Sequence, residues 1–520
     1  MPAAGSSRTI VAGTLLTSLL CLTALPVLMR PGSFIQDDSY FYLQIASHIV
    51  AGHGSTFHGI TPTNGYHPLW MVCVAATMAL VDGDKSHALN LVVVLQIVLT
   101  AATLYLFKRL MTVVGLEVWL PGAALLAAYL FGTGLYGSEG HLNALTLVAA
   151  TLALCNSLSS QRAGDWFLTG IWFGTAILAR LDNVFVAATL LAFGLLLHTP
   201  RPVSRLLLRG AITGSGVLLI VAPYLIYNVL TYGHLMPISG AIKSHASAIS
   251  FDIARLGALG KLAAPFGLVC IAIGTFIDRD RRRQVLWLGL GCGVVLHALY
   301  VVAWTDHYTF WAWYYVSGVL GASVVLSYVT EWFVTRVRPW LGDGGAQWLV
   351  IVLTCALLIG SAMRAWHKAF DSLHIGPIGI TARINEYRWP EELAVWMRTH
   401  IPRGTVVFAQ DWPGAIAFYS DLTILPMDGL VNDYRYNDEM LALGAQTYLC
   451  THGVDLFLGH LFEPAAPQQV PIYAPLHRQL AGILILHPDD LIVETRSVLR
   501  LPEQAPPYAI WRIPCPVRHP

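Results

Sequence analysis

The residues best suited to chemistry lie together between Ser33 and Trp70, in the run SFIQDDSYFYLQIASHIVAGHGSTFHGITPTNGYHPLW. Two adjacent acids, Asp37 and Asp38, follow directly on the first apolar span. One carboxylate there can cap a helix starting near Ser39, because Asp accepts hydrogen bonds from the free amides of a first turn. Capping accounts for one acid and leaves the other. A carboxylate at a membrane surface can also act as a general base towards an acceptor hydroxyl, or ligate a divalent cation such as Mg, Mn or Ca. Ionisable groups beside apolar spans cost free energy to place, and so point to function. Behind the acids, Tyr42, Ile45, Ala46 and Ile49 recur at helical spacing, and Gly52 and Gly54 end the pattern. A polar loop with His53, His58, Tyr66 and His67 runs to Pro68 and Trp70. The histidine spacings, five and then nine, match no zinc pattern, so hydrogen bonding is as good an account as a metal. Tyr66, His67 and Trp70 can offer ring faces to a sugar, or form part of an interfacial aromatic belt.

Further candidates stand in later loops. Glu139 and His141 occur in YGSEGHLN, and Arg180 and Asp182 in LARLDN. Arg180 either neutralises Asp182 or offers its forked donors to a phosphate. Lys243, in YGHLMPISGAIKSHA with His234 and His245, is a second candidate phosphate contact. Trp304–Tyr315 (WTDHYTFWAWYY) reads as an interfacial belt in which Asp306 or His307 can face a cavity.

What positions these residues is a membrane. Of 520 residues, 55% are hydrophobic and only 12% charged; soluble chains carry about 25% charged residues. Apolar runs at 9–29, 88–107, 119–136, 141–159, 166–180, 183–198, 206–230, 258–277, 285–304, 313–333 and 347–363 predict a polytopic α-helical membrane protein with about eleven transmembrane helices. The first resembles a signal peptide, but its length favours an uncleaved anchor. The run 69–81 is too short to span a core of about 30 Å and predicts a juxtamembrane helix that does not cross. Lys and Arg support this. With 69–81 not crossing, Lys108, Arg109, Arg162, Arg201, Arg205, Arg209, the RDRRR run at 279–283, Arg336 and Arg338 fall on the N-terminal, cytoplasmic side. The Asp pair then faces outward. The net charge of +1 gives no indication of a nucleic-acid partner.

The composition changes after Ala362. Residues 1–363 read as the membrane domain, with 30–87 as its first outer loop, and 364–520 as an outward α/β domain. Helices are predicted over Glu391–Thr399 and near Glu439–Leu449, strands over 405–410, 422–426 and 455–458, and a turn at Asp411-Trp412-Pro413-Gly414. Cys450 and Cys515, both in this part, can pair if it lies outside the cytoplasm.

The pattern D-D-S-Y-F-Y-L-Q-I-A…G-H-G-S-T-F-x-G-I-x-P-T-N-G-Y-H-P-L-W resembles the first extracytoplasmic loop of bacterial GT-C fold glycosyltransferases, which use polyprenyl-phosphate sugars. Short motifs near 139, 180–182, 234–243 and 411–433 are similar to segments of the same group. The resemblance implies a base or metal-binding role for Asp37 and Asp38, and juxtamembrane helices before the second span. It does not extend to the D-x-D or WWDYG-type signatures of oligosaccharyltransferases. Residues and resemblance together predict an inverting transfer of one sugar from a polyprenyl phosphate to a hydroxyl of a cell-envelope acceptor. Asp37 or Asp38 would be the base, Arg180 and Lys243 the phosphate contacts, and His53, Tyr66, His67, Trp70, Glu139, His141 and Asp182 the sugar or acceptor contacts. The one cofactor to expect is a divalent cation at the Asp pair, which the sequence leaves optional. A transporter would place ionisable or helix-breaking residues in mid-span, whereas here they gather at one surface. A non-catalytic scaffold binding an envelope polymer is the other alternative.

Overall fold

The computed structural model describes residues 3–132, 135–160, 162–198, 203–244, 249–305, 312–369, 389–461, 466–498 and 508–515. His245, Asp306 and His307 lie outside them. A helix covers the larger part of every predicted span. They are α1 (Ala3–Met29), α4 (Lys85–Val113), α5 (Leu120–Gly132), α6 (Gly140–Ser160), α7 (Ala163–Ala179), α8 (Val184–His198), α9 (Val203–Tyr232), α11 (Gly257–Ala272), α12 (Arg281–Trp304) and α13 (Val316–Ala369). Six of the described helices are long and apolar enough to cross a bilayer by themselves. Two predicted spans, 313–333 and 347–363, are the two helical halves of α13, separated by a non-helical break at Gly342, φ 67°. That backbone angle suits glycine and breaks the helix.

Lipid offers helices little hydrophobic reason to associate, so close packing of small residues takes over. Gly170 of α7 and Gly216 of α9 face each other so tightly that a side chain on either would strike the opposite backbone. Gly122 of α5 meets the Ser323 carbonyl of α13 in the same way. Buried hydroxyls return to their own helix: Thr100, Thr151, Ser327 and Thr354 each donate to the carbonyl four residues back. Outward, α9 exposes Leu207, Leu218, Leu219, Ile226 and Leu230, an apolar face suited to acyl chains.

Between α1 and α4 run α2 (Asp37–Val50) and α3 (Pro68–Leu80). Pro68 opens α3, where its missing N–H costs nothing. The short α10 (Ile238–Lys243) follows α9.

Beyond α14 (Trp389–His400) the chain folds around a mixed sheet of order β2-β1-β3-β7-β6. β1 (Val406–Ala409) lies parallel to β2 (Thr423–Pro426) and β3 (Leu456–His460). A hairpin of β4 (Gln468–Ala474) and β5 (Gln479–Leu486) stands apart. β6 (Leu491–Glu494) and β7 (Tyr508–Arg512) close the sheet antiparallel. These last four strands have no sequence counterpart above. The predicted turn at 411–414 instead opens a helix, α15 (Pro413–Ser420), again with proline at its first position. The helix expected near 439–449 is two, α16 (Tyr434–Leu443) and α17 (Ala445–Thr451), parted by Gly444 at φ 78°. Cys450 and Cys515 form a disulfide, tying α17 to the end of β7.

α15 is where the two parts meet. Asp37, at the start of α2, accepts from its first amides, and Lys85, at the start of α4, donates to Phe418 O and Asp421 at its other end. An eight-residue helix is about 12 Å long. The chain therefore leaves at Asp37 and returns at Lys85 beside one short element.

Candidate functional site

The two acids that open α2 diverge. Asp37 turns to α15: its Oδ2 accepts from Gly414 N at 3.1 Å and its Oδ1 from Ala415 N at 2.8 Å. It caps a helix, but one 377 residues further along the chain. Gly414 carries no Cβ here because one would strike the Asp37 carbonyl. Trp412, held at φ 55°, turns the chain so that these amides face the acid; such a backbone costs about 1–3 kcal/mol and persists only where the surroundings demand it. Burial pushes the Asp37 carboxyl well above the usual carboxylate range, against the two amide bonds. Each oxygen of Asp37 thus accepts one backbone amide of α15, and the acid is shared with the C-terminal part rather than turned into the cavity described next.

Asp38 points the other way, into a cavity of about 60 Å³ that it shares with Tyr66, His67, Glu139, Arg180 and Lys243. Six residues predicted from separate loops thus converge. Burial raises the Asp38 carboxyl, Lys243 opposes this, and Glu139 adds to it. Lys243, at the last position of α10, donates to Tyr314 Oη at 2.9 Å. Burial alone would depress its ammonium, but the Tyr314 phenol and Asp38 more than restore it, so Lys243 stays charged.

Arg180 is the centre of a buried charge network. Its guanidinium pairs with Glu139 and with Asp182, the latter at 2.9 Å, and lies 4.2 Å from the centre of the Tyr314 ring. Glu139 also accepts from Tyr42 Oη at 3.1 Å, and His297 Nε2 stands 3.4 Å from Asp182. Burial would raise both carboxyls, yet both are held below the usual range: Asp182 by Arg180 with His297, and Glu139 by its cationic surroundings, of which Arg180 is the member that stays charged at neutral pH. Burial takes His67 down to about 4, so its ring is neutral at physiological pH. Its Nδ1 accepts from Leu181 N at 3.4 Å, leaving Nε2–H facing Glu139 at 3.8 Å. Arg180, expected as a phosphate contact, lines the cavity with its charge already met by two carboxylates. Lys243 is the cation less fully matched.

Besides Asp37, four predicted residues do not line this cavity: Asp182, which stands behind it paired with Arg180, and His53, Trp70 and His141. His53 is exposed and lies against His48, ring centres 5.7 Å apart, because Gly52 and Gly54 carry the chain out into solvent there. Trp70 is wholly buried, its Nε1 donating to Gly137 O at 2.8 Å, so it seats the loop that carries Glu139. His141 is buried in α6 against Tyr136, ring centres 4.9 Å apart. Sequence reasoning missed Tyr42 and Tyr314, which read as packing and belt aromatics. It also missed Asp428, whose loop belongs to the C-terminal part. Burial and the nearby Asp38 push Asp428 up to about 6, against a bond from Leu430 N and the charge on Lys243. Among the described residues no group of three or more His, Cys, Asp or Glu side chains is placed to hold a metal ion.

The C-terminal part completes the wall through Leu430. Gly65 packs against the Leu430 carbonyl with no space for a Cβ, and Thr63 Oγ1 donates to Asn432 O at 3.1 Å. Gly65→Ala is expected to part the first loop from this segment, lowering the melting temperature by several degrees, about 1–3 kcal/mol of overpacking. An unchanged melting curve would show that the contact yields freely.

Residues 66–227 match the family model described as dolichyl-phosphate-mannose-protein mannosyltransferase, and residues 380–509 match a domain of unknown function, DUF8728. No curated protein matches the sequence significantly. Among solved structures, ArnT from Cupriavidus metallidurans bound to undecaprenyl phosphate aligns at a TM-score of 0.55 and 11% identity, over 88% of this chain and 94% of that one. The apo form aligns at 0.55 and 10% identity, over 90% and 96%. The mycobacterial arabinofuranosyltransferase AftD overlaps more loosely, at 0.47 and 12% identity, over 97% of this chain and 40% of that one. The chain is a multi-pass membrane protein with the GT-C fold, in agreement with the resemblance carried by residues 37–70.

Proposed function

We propose that this protein is a membrane glycosyltransferase that moves one sugar from a polyprenyl phosphate to a hydroxyl of a cell-envelope acceptor, with inversion. The observation that carries the reading is the convergence of Asp38, Lys243, Arg180, Glu139 and His67 on one cavity at the junction of the two parts. The acceptor O–H gives its proton to Asp38 as the new C–O bond forms on one face of the sugar. On the other face the bond to phosphate breaks, and its electron pair leaves on the phosphate oxygen. Lys243 meets that charge where water is excluded, which is where a fixed cation is worth most. A raised carboxyl is closer to the working pH and hence a better base than an ordinary aspartate. ArnT has been captured with undecaprenyl phosphate, which favours a polyprenyl phosphate as donor.

The catalytic face is assigned to the outside of the plasma membrane, with residues 364–520 as an outward domain set on 1–363. Three features support this side: the excess of Lys and Arg in the opposite loops, the return of the chain from Asp37 to Lys85 beside α15, and the Cys450–Cys515 disulfide. Replacing Lys243 with methionine tests the reading in reconstituted vesicles supplied with a labelled polyprenyl-phosphate sugar. The loss expected is about 10²–10³-fold in kcat, the scale for one charge-stabilising donor. A variant as fast as the parent would remove the phosphate site from this cavity.

A further inference from the structure

A second, larger cavity lies on the far side of the wall that closes the first. It measures about 680 Å³, within the range of ligand sites. Its walls come from both parts of the chain: the loop at His58–Pro62 and the end of α9 on one side, α16, α17 and their approach on the other. The wall between the two cavities is the crossing of Thr63–Gly65 with Leu430–Asn432, where Thr63 is bonded to Asn432 and Gly65 is pressed on Leu430. Gly65 and Leu430 line the small cavity, while Pro62 and Asn432 line the large one.

We propose that this groove binds the saccharide units of the acceptor that do not react, and that the acceptor is therefore a glycan with no net negative charge. The inference rests on the glycosyltransferase reading above and names the chemistry of its second substrate. Ring faces are supplied by Tyr232, Tyr434 and the Tyr448–His452 stack, whose ring centres lie 4.0 Å apart. Aromatic rings pair an apolar face with a polar edge, as a sugar ring does. Tyr434 is held flat, stacked at 3.8 Å on His234 with its hydroxyl donating to Met236 O. Between the rings stand Arg435, Asp433, which also caps α16 through Tyr436 N, and Glu439, which also meets His452, polar groups matched to hydroxyls rather than to an acyl chain, while His58 is held by Ile60 N and Thr61 of its own loop. Two carboxylates against one guanidinium disfavour a phosphorylated or carboxylated polymer. Binding remote units of a substrate is how an enzyme holds the reacting hydroxyl in place.

The test uses the full-length protein in nanodiscs and fluorescently labelled oligosaccharides released from the producing cell's envelope, separated into neutral and acidic fractions. Thr231→Trp fills the mouth of the groove and Arg435→Ala removes a polar contact; both positions are exposed, and neither touches the first cavity. The parent protein binds the neutral fraction saturably, and each variant loses at least about tenfold in affinity. Each variant hydrolyses the polyprenyl-phosphate sugar to free sugar at the parental rate. Should one variant melt early, the other carries the comparison. Binding confined to the acidic fraction, or affinity for the neutral fraction that neither variant alters, overturns the proposal. Glycan binding by a protein that hydrolyses no donor would instead leave the groove intact and remove the enzymatic reading.

Discussion

Asparagine at position 38 is expected to lower sugar transfer by about 10²–10⁴-fold, the contribution of a positioned general base, while the protein folds at least as well as its parent. The second half of that expectation comes from burial. Asp38 has a carboxyl raised by desolvation, so it favours the folded state most when protonated. That contribution is fully present below the unfolded pKa of about 4, and is lost as pH rises through the folded value. A neutral amide of the same shape removes this cost, so the melting temperature at neutral pH holds or rises as activity falls. Asparagine at position 37 also relieves a buried charge, but against a larger loss, so the balance is expected to be the reverse. Its side chain would set an NH₂ group against the amide of Gly414 or Ala415, losing about 1–3 kcal/mol for an unsatisfied buried bond, with activity following the amount of folded protein. The parent's transfer rate should climb with pH as Asp38 ionises. Transfer abolished at 37 and intact at 38 would exchange their roles and place the reaction at α15.

Much of the site was legible because a membrane makes charge conspicuous. Asp38, Glu139, Arg180 and Lys243 stood out as ionisable groups beside apolar runs, and the bias of Lys and Arg put them on one face. Which aspartate faces the cavity was not legible, because the decision is made by the amides of Gly414 and Ala415, some three-quarters of the chain away. Asp428 was hidden for the same reason: DGL is an ordinary turn until Leu430 closes the wall of the cavity. Tyr314 sits in a belt-like aromatic run, and only its ring over Arg180 and its bond to Lys243 distinguish it. The helices followed from length and hydropathy, down to the early stop of α3. The runs 313–333 and 347–363 lie on either side of the break at Gly342, but periodicity could not foresee that β6 and β7 would complete the sheet or that β4 and β5 would pair apart from it.

Replacing Arg180 with methionine is expected to destabilise the protein by about 3–5 kcal/mol, the penalty for a buried ion network stripped of one sign. Arg180, Glu139 and Asp182 are all largely buried, with side-chain exposures of 3%, 4% and 18%. Without the guanidinium, two carboxylates remain in one apolar setting, with a neutral His67 that cannot compensate them. The pH dependence should then change sign. In the parent, Glu139 and Asp182 are held below their usual range, so they contribute stability above the unfolded carboxyl pKa of about 4, which is lost as acid protonates them. In the variant, burial is unopposed and lifts both carboxyls, so protonation relieves the strain. Between about pH 7 and pH 5, the variant should gain melting temperature while the parent stays level or loses. Adding Glu139→Gln to Arg180→Met should recover part of the loss at neutral pH, because only one unpaired acid then remains. Parallel pH curves for parent and variant, or a double variant no more stable than the single one, would mean that the three charges do not act as one network. The Arg180 guanidinium would then be free for a donor phosphate, a role its two carboxylates now limit.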